Sequence, residues 1–176
     1  MVQHQGGRHR SVRKTILIVG EGPTEKAFLS FVKEIYICRE DDVSVKVECG
    51  AGGSPISVAH RAARLKKSAD YDRCVLVIDA DTYNAEAKRK IESTSGLEVV
   101  VITPCIEGLF LAILKGDNID AGISSGECKR QFENRYLDRN QKIEKCKYSS
   151  IFTKELLEKA RKRNREMDSI LKALNK

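Results

Sequence analysis

Three apolar runs of the sequence each end close to a carboxylate side chain. Glu21 follows the first run, Asp79 and Asp81 stand at the end of the second, and Glu107 comes shortly after the third. Carboxylates that lie close together repel one another, so such a group is costly unless a cation neutralises it. Oxygen ligands without histidine or cysteine are typical of Mg²⁺ or Mn²⁺ sites. The pattern therefore predicts a divalent-metal site, with helix capping and surface salt bridges as the structural alternative.

An ion held by these acids would suit the hydrolysis of phosphate esters. Hydrolysis of a phosphodiester needs a positioned water, neutralisation of charge at phosphorus and stabilisation of the leaving oxygen, and one or two Mg²⁺ ions supply all three. We expect Asp79 and Asp81 to be direct ligands, and Glu21 to complete the ligand set or act as general base. Glu25 could be a ligand, a support for the ligands or a partner of a helix dipole, and Glu107 has the same dipole alternative.

The elements that must position these acids are buried strands that alternate with helices. Apolar runs and apolar–polar alternation predict strands at 15–20, 43–49, 73–79 and 97–102, the second of them at an edge. Helical spacing and capping residues predict helices at 24–37 with Thr24 as N-cap, from Pro55 with Ser54 as N-cap, at 84–93, and at 104–115 beginning at Pro104. This order predicts a single α/β domain with a parallel sheet, whose strands bring their carboxyl ends to one edge.

The last third of the chain is predicted to be helical and basic. A loop at 116–126 leads to short helices at 126–136 and to one long helix at 153–174. Along that helix six positions follow a heptad spacing: Leu157, Ala160, Asn164, Met167, Leu171 and Leu174. The seam fits either a helix that packs on its own sheet or a homodimer.

Composition excludes several classes of protein. The 176 residues are 41% apolar, and no stretch reaches the roughly 20 apolar residues of a membrane span. The first residues lack a signal-peptide core, so we expect a cytoplasmic protein that does not contact a membrane. The six cysteines form no CxxC pair, which argues against zinc and for free thiols in a reducing compartment.

The positive charge is concentrated at the two ends of the chain. Residues 1–14 carry four positive and no negative charges, and residues 139–176 have a net charge of +7, whereas residues 15–138 have a net charge of −4. Basic surfaces attract the phosphates of nucleic acids, although the same charges also serve as solvated surface. Seven residues are our candidates for phosphate contacts: Lys26, Arg61, Arg64, Arg161, Lys162, Arg163 and Arg165.

Two glycine-rich segments have to be weighed as phosphate sites. The segment at 20–25 has the first two glycines of GxGxxG, but Glu25 replaces the third and would repel a pyrophosphate. No GK[ST] sequence is present, so neither a dinucleotide fold nor a P-loop is expected. The glycines at 50–53 precede Ser54 and fit either an anion site at a helix N-terminus or a flexible turn.

Four motifs in order resemble a known family. They are ILIVGEGPTEKAFL at 16–29, GAGGSPISVAHRA at 50–62, VLVIDADT at 75–82 and TPCIEGLFLAIL at 103–114. Together they resemble the RloB-like branch of the Toprim superfamily, whose members occur in prokaryotic defence and restriction loci. The resemblance covers roughly residues 13–115.

The resemblance implies a Toprim-like sheet, Mg²⁺ bound by acids, and cleavage of DNA or RNA, with a partner protein from the same locus as a further expectation. Glu21 matches the Toprim glutamate, Asp79 and Asp81 match the Asp-x-Asp pair, and Glu25 and Glu107 match the acids of the first and last motifs. The last motif often continues with an aromatic residue and a histidine. In this chain leucine and isoleucine, at positions 109 and 113, stand in their places.

We divide the chain into a basic arm at 1–14, a Toprim-like core at 15–116 and a helical extension at 117–176.

Two other functions fit parts of the pattern. In a haloacid-dehalogenase-like phosphatase Asp79 would be the nucleophile, but Tyr83 stands where that motif has threonine or valine. A non-catalytic nucleic-acid-binding subunit would bind without turnover.

Overall fold

The chain forms an α/β structure around a four-stranded sheet. We describe it from a computed structural model covering residues 13–94, 96–117, 119 and 122–176. Residues 1–12 of the predicted basic arm, and part of the predicted loop at 116–126, lie outside the described residues. The strands are Lys14–Gly20 (β1), Val43–Cys49 (β2), Arg73–Asp79 (β3) and Glu98–Ile102 (β4).

All four strands are parallel, in the order β2-β1-β3-β4. The predicted α/β class with a parallel sheet is therefore confirmed, and the architecture is consistent with a Toprim-like fold. Strand β2 lies at an edge, as predicted. Gly20 at the end of β1 is in register with Val77, and Asp79 at the end of β3 is in register with Ile102. The carboxyl ends of β1, β3 and β4 thus share one edge of the sheet.

Helices cover both faces of the sheet. The described residues form seven α-helices: Pro23–Tyr36 (α1), Pro55–Ser68 (α2), Ala85–Glu92 (α3), Ile106–Lys115 (α4), Ser125–Arg135 (α5), Lys154–Arg163 (α6) and Arg165–Ala173 (α7). Two 3₁₀ turns, Gln141–Ile143 and Lys145–Ser150, join α5 to α6. Alternate residues of β1 enter two apolar clusters, one shared with α1, α4 and the C-terminal helices and the other with α2 and α3. None of the helices in the described part of the chain is long and apolar enough to cross a membrane.

The predicted long helix at 153–174 is wrong as a single helix. The backbone leaves the helical conformation at Asn164 (φ −117°, ψ 113°), whose side chain accepts a hydrogen bond from the Met167 amide at 2.8 Å. Asparagine competes with helix interiors by capping, and here it begins a new helix. Leu157, Met167 and Leu171 are buried in the core of their own chain, so the heptad positions pack internally.

Two predicted helix starts are also corrected. Helix α1 begins at Pro23 with Gly22 as N-cap, and not after Thr24, because the Glu25 carboxylate accepts the Gly22 amide hydrogen in a capping box. Helix α4 begins at Ile106, two residues after Pro104, since the Ile106 amide donates to the Asp79 carboxylate. In both cases an acid of the predicted site fixes the helix start.

Candidate metal centre

Asp79 lies at the centre of the acidic edge. It is the last residue of β3 and is only 7% exposed. Its Oδ1 accepts a hydrogen bond from the Ile106 amide at 3.0 Å, which places the carboxylate at the N-terminus of α4. Strand β3 is central and apolar, so the fold holds this carboxylate rigidly at the sheet edge.

Glu21 follows β1 and turns toward the end of β3. Its Oε2 accepts hydrogen bonds from the Asp79 amide at 3.3 Å and from the Thr82 hydroxyl at 3.0 Å. Its own amide donates to the Val77 carbonyl at 3.1 Å. The predicted neighbourhood of Glu21 and Asp79 is thus present, because β1 and β3 are adjacent.

Glu25 is buried in the first turn of α1. Its Oε2 lies 2.7 Å from the Gly22 amide, and the residue is 6% exposed. A Cβ atom at Gly20 would come within 2.5 Å of the Glu25 Cβ, so glycine is needed there for this close approach. Burial raises the pKa of Glu25, the Gly22 hydrogen bond opposes this, and the charges of Glu107 and Glu21 raise the pKa further.

Glu107 is the most deeply buried acid of the site, with 1% of its surface exposed. One carboxylate oxygen, Oε1, pairs with the Lys142 ammonium group. The other, Oε2, is buried and has no hydrogen-bond partner among the described residues. A buried carboxylate oxygen left unsatisfied is costly, and a bound cation is one of the ways to satisfy it.

The electrostatic effects of the acids converge on Asp79. Burial, followed by the charges of Glu25, Glu107, Glu21 and Asp81 in that order, raises the pKa of Asp79 to about 8. Asp81 itself is exposed at the rim. The four other acids predicted from the sequence therefore lie close enough to Asp79 to interact with it.

A potential metal-ligating group at this edge includes a residue that the sequence analysis did not select. Ligand atoms of Asp79, Cys105 and Glu107 all lie within 4.8 Å of one another, and all three residues are buried. Burial raises the pKa of Cys105 to about 12, which keeps it a neutral thiol, whereas thiolate is the form that binds metals. The donor set thus fits a hard divalent cation held mainly by carboxylate oxygens.

Two lysines from the C-terminal part approach these acids, and sequence reasoning missed both. Lys142 is 7% exposed and its ammonium also lies 2.6 Å from Glu133. Burial alone would lower the pKa of Lys142, but its bonds to Glu107 and Glu133 raise it. Burial alone would also lower the pKa of Lys129, but the charges of Glu107, Cys105 and Asp79 raise it. No local sequence pattern signals these lysines, since they come from distant segments.

The predicted phosphate-contact residues near the core are partly engaged within the protein. Lys26 lies 3.5 Å from Glu48, and Arg61 donates to the Cys49 carbonyl at 3.1 Å. Arg64 is exposed on α2. These cations lie outside the acid cluster, as expected for groups that would contact a substrate.

The four candidates on the C-terminal helices divide into two pairs. Arg161 bonds to Asp168 at 3.1 Å and to the terminal residue's carbonyl, and Arg163 donates to the Ile113 carbonyl at 3.1 Å. Lys162 and Arg165 are exposed, and no ion pair within the described part of the chain involves them. Arg163 and Arg165 line a groove of about 630 Å³ between β4 and α7.

Fold and site together define an α/β protein with carboxylates gathered at the carboxyl edge of a parallel sheet. The family model described as RloB-like protein matches residues 16–176, and the chain belongs to the RloB-like family. Neither the comparison with curated proteins nor that with solved structures finds a match. The family match covers the acid-bearing strands and the C-terminal segment that supplies Lys142.

Proposed function

We propose that this RloB-like protein is a Mg²⁺-dependent nuclease of the Toprim superfamily that hydrolyses phosphodiester bonds in DNA or RNA. One observation carries the proposal: the buried Oε2 of Glu107, which has no hydrogen-bond partner in the described part of the chain, belongs to a group in which the Asp79 pKa is raised to about 8. Such an arrangement is unfavourable for a protein without a cation and favourable for one that binds a divalent ion.

Asp79 and Glu107 would hold the ion from the buried side of the site. Glu21 and Asp81 would lie at its exposed rim, with Glu25 as a fifth acid close by. Mg²⁺, or Mn²⁺ in its place, fits because the charged donors are carboxylates. When bound, the ion neutralises charge on the scissile phosphate and stabilises the leaving oxygen.

The protein's own groups would orient the reaction. The hydrogen bonds to Glu21 from Thr82 and the Asp79 amide use Oε2, which leaves Oε1 at the rim to accept a proton from the attacking water. Glu25 holds the turn at Gly22 and so fixes the position of Glu21. Lys26, Arg61 and Arg64 are the cations that would contact the flanking phosphates.

The proposed setting is a prokaryotic anti-phage or restriction-type system in the cytoplasm, with nucleic acid as the substrate. Membership of the RloB-like family supports this setting. The folded core supports an enzyme more than a binding module, since a surface that only binds phosphates has no use for buried acids.

The test is a cleavage assay on single- and double-stranded DNA and RNA with Mg²⁺, with Mn²⁺ and with EDTA. We expect metal-dependent cleavage by the wild type and a loss of at least about 10²-fold in Asp79→Asn and Asp81→Asn. Asp70→Asn is the matched control, since this exposed residue precedes β3 at the opposite edge of the sheet and its positive φ of 48° suits asparagine.

Three outcomes would contradict the proposal. Full cleavage activity in Asp79→Asn would show that the proposed metal centre takes no part in the reaction. Binding that is independent of metal, with no turnover of any substrate, would indicate a non-catalytic subunit. A covalent phosphate on Asp79 would instead indicate a haloacid-dehalogenase-like phosphohydrolase.

A further inference from the structure

Lys142 belongs to a 3₁₀ turn in the C-terminal part of the chain, yet its ammonium group lies in the acid cluster. The residue is 7% exposed, which is rare for lysine unless it is paired. It pairs with the buried Glu107 and with the half-buried Glu133. Sequence separation from Glu107 is 35 residues, so only the folded chain brings the two together.

The backbone that carries Lys142 is anchored in the aromatic core. The buried Tyr148 hydroxyl donates to the Lys142 carbonyl at 2.7 Å, and the Lys142 amide donates to Asp138 at 3.0 Å. The Tyr148 ring lies 5.6 Å from Phe28 of α1, between ring centroids. The lysine is therefore delivered to the site by a fixed segment rather than by a loose surface turn.

The two oxygens of Glu107 have different surroundings because of this lysine. Oε1 is engaged by the ammonium group, and Oε2 has no partner among the described residues. A ligand atom of Glu107 lies within 4.8 Å of one from Asp79. The ammonium group thus occupies one oxygen, on the side of Glu133, and leaves the other for a second cation.

We propose that Lys142 is a positioning residue of the metal centre: it holds Glu107 by Oε1 so that Oε2 is presented to the divalent ion beside Asp79. The inference rests on the proposed metal centre and adds that the C-terminal extension completes it. Partners that orient a ligand are worth about 10- to 100-fold in metal affinity. The extension therefore contributes to the site itself, apart from any contact with nucleic acid.

The experiment is Mn²⁺ binding to the whole protein without nucleic acid, followed by electron paramagnetic resonance and calorimetry. Lys142→Met should weaken binding by about 10- to 100-fold. Lys145→Met is the matched control, because this lysine, three residues on, pairs with Glu34 on the surface. It should bind Mn²⁺ as the wild type does. Circular dichroism at the same temperature confirms that each variant is folded.

A second comparison separates positioning from a structural role. Glu107→Gln and the double variant Glu107→Gln/Lys142→Met should bind Mn²⁺ equally, because Lys142 acts only through Glu107. Unequal binding would overturn the positioning role, because Lys142 would then act on the ion without Glu107. The double variant leaves no buried charge of this pair without its partner, so this test remains available even where Lys142→Met alone does not fold.

The outcomes distinguish the two levels of the proposal. A wild type that binds no Mn²⁺ would overturn the metal centre and the role of Lys142 together. Wild-type binding with unchanged affinity in Lys142→Met would overturn the role of Lys142 alone. Tighter binding in Lys142→Met would also overturn it, since the lysine would then compete with the ion.

Discussion

Charged side chains are arranged in opposite ways at the acidic edge of the sheet and on the basic helices α6 and α7. At the edge, Asp79, Glu25 and Glu107 are buried within reach of one another and share one sign. On α6 and α7, charges of both signs alternate at the surface, and Arg161 lies 3.1 Å from Asp168. One region concentrates like charges, and the other distributes and pairs them.

The difference indicates which region could hold a counter-ion. Surface ion pairs on these helices, such as that of the exposed Lys172 with Asp168, contribute little and need no ligand. Buried acids of one sign oppose folding, and Lys142 offsets only part of this charge through Glu107. The acidic edge therefore resembles a binding site, while two of the four basic candidates on α6 and α7, Arg161 and Arg163, make contacts within the chain. Five measurements, two already described, follow from this contrast, and the largest remaining effect concerns pH.

The metal-free protein should lose stability as pH rises from 5 to 8.5. The folded pKa of Asp79 is about 8, above the ordinary value of 3.8, so the unfolded chain releases this proton first. Its contribution to stability is complete below the unfolded pKa and disappears as pH rises through the folded one. From pH 5 to 8 this amounts to about 4 kcal/mol at most. Glu25, whose pKa is also raised, acts in the same direction.

Urea unfolding in EDTA at several pH values checks this prediction. Asp79→Asn should show a shallower decline with pH, because asparagine keeps an acceptor for the Ile106 amide and cannot ionise. Asp70→Asn should follow the wild type. Acids with lowered pKa values, such as Asp72 and Asp168, titrate below this range. Equal slopes for wild type and Asp79→Asn would mean that the acid cluster is not strained by its own charge.

The sheet and most of the acidic edge could be predicted from the sequence. Buried strands are read from short apolar runs, and the carboxyl ends of parallel strands must meet at one edge, so Glu21 and Asp79 were expected together. This worked because each strand is a local pattern and because the right-handed crossover leaves few alternatives.

The rest depends on contacts that no local pattern encodes. The start of α1 at Pro23 depends on how Glu25 bonds to Gly22, and the break at Asn164 depends on a cap that overrides a regular heptad spacing. Cys105 and Lys142 enter the site through tertiary contacts. A lysine 35 residues from its partner reads in sequence as one more surface charge.

The second prediction compares Glu21 with Glu25. Glu21→Gln should reduce turnover by about 10²-fold or more, the lower end of general-base effects. Glu25→Gln should lose less, mainly through Mg²⁺ affinity weakened by about 10- to 100-fold, because glutamine can still accept the Gly22 hydrogen bond. A Mg²⁺ titration of cleavage should rescue Glu25→Gln and not Glu21→Gln.

Glu86→Gln is the control for this pair, since Glu86 lies on α3 in an exposed pair with Lys90. The opposite order of sensitivity would exchange the roles of Glu21 and Glu25. An equal loss that Mg²⁺ does not rescue would make both of them direct ligands, and the buried and rim acids would then act as one unit.

The smallest expected effect is in the basic helices. Replacing Lys162 and Arg165 by glutamine should leave stability nearly unchanged and lower the slope of log affinity for nucleic acid against log salt by about 0.7–0.9 per lost phosphate contact. Replacing Arg161 and Arg163 should mainly lower the unfolding temperature, because their bonds to Asp168 and to backbone carbonyls are lost.

Binding isotherms at several salt concentrations, paired with thermal unfolding of the same variants, separate the two roles. A reduced slope for Lys162 and Arg165 would make the groove between β4 and α7 part of the path of the nucleic acid, since Arg165 lines it. If the slope of log affinity against log salt is unchanged for both pairs, the charges of α6 and α7 serve only as a solubilising surface. Binding would then depend on Lys26, Arg61 and Arg64, the remaining candidates for phosphate contacts. The acidic edge would then be the functional site, and α6 and α7 would only support the fold.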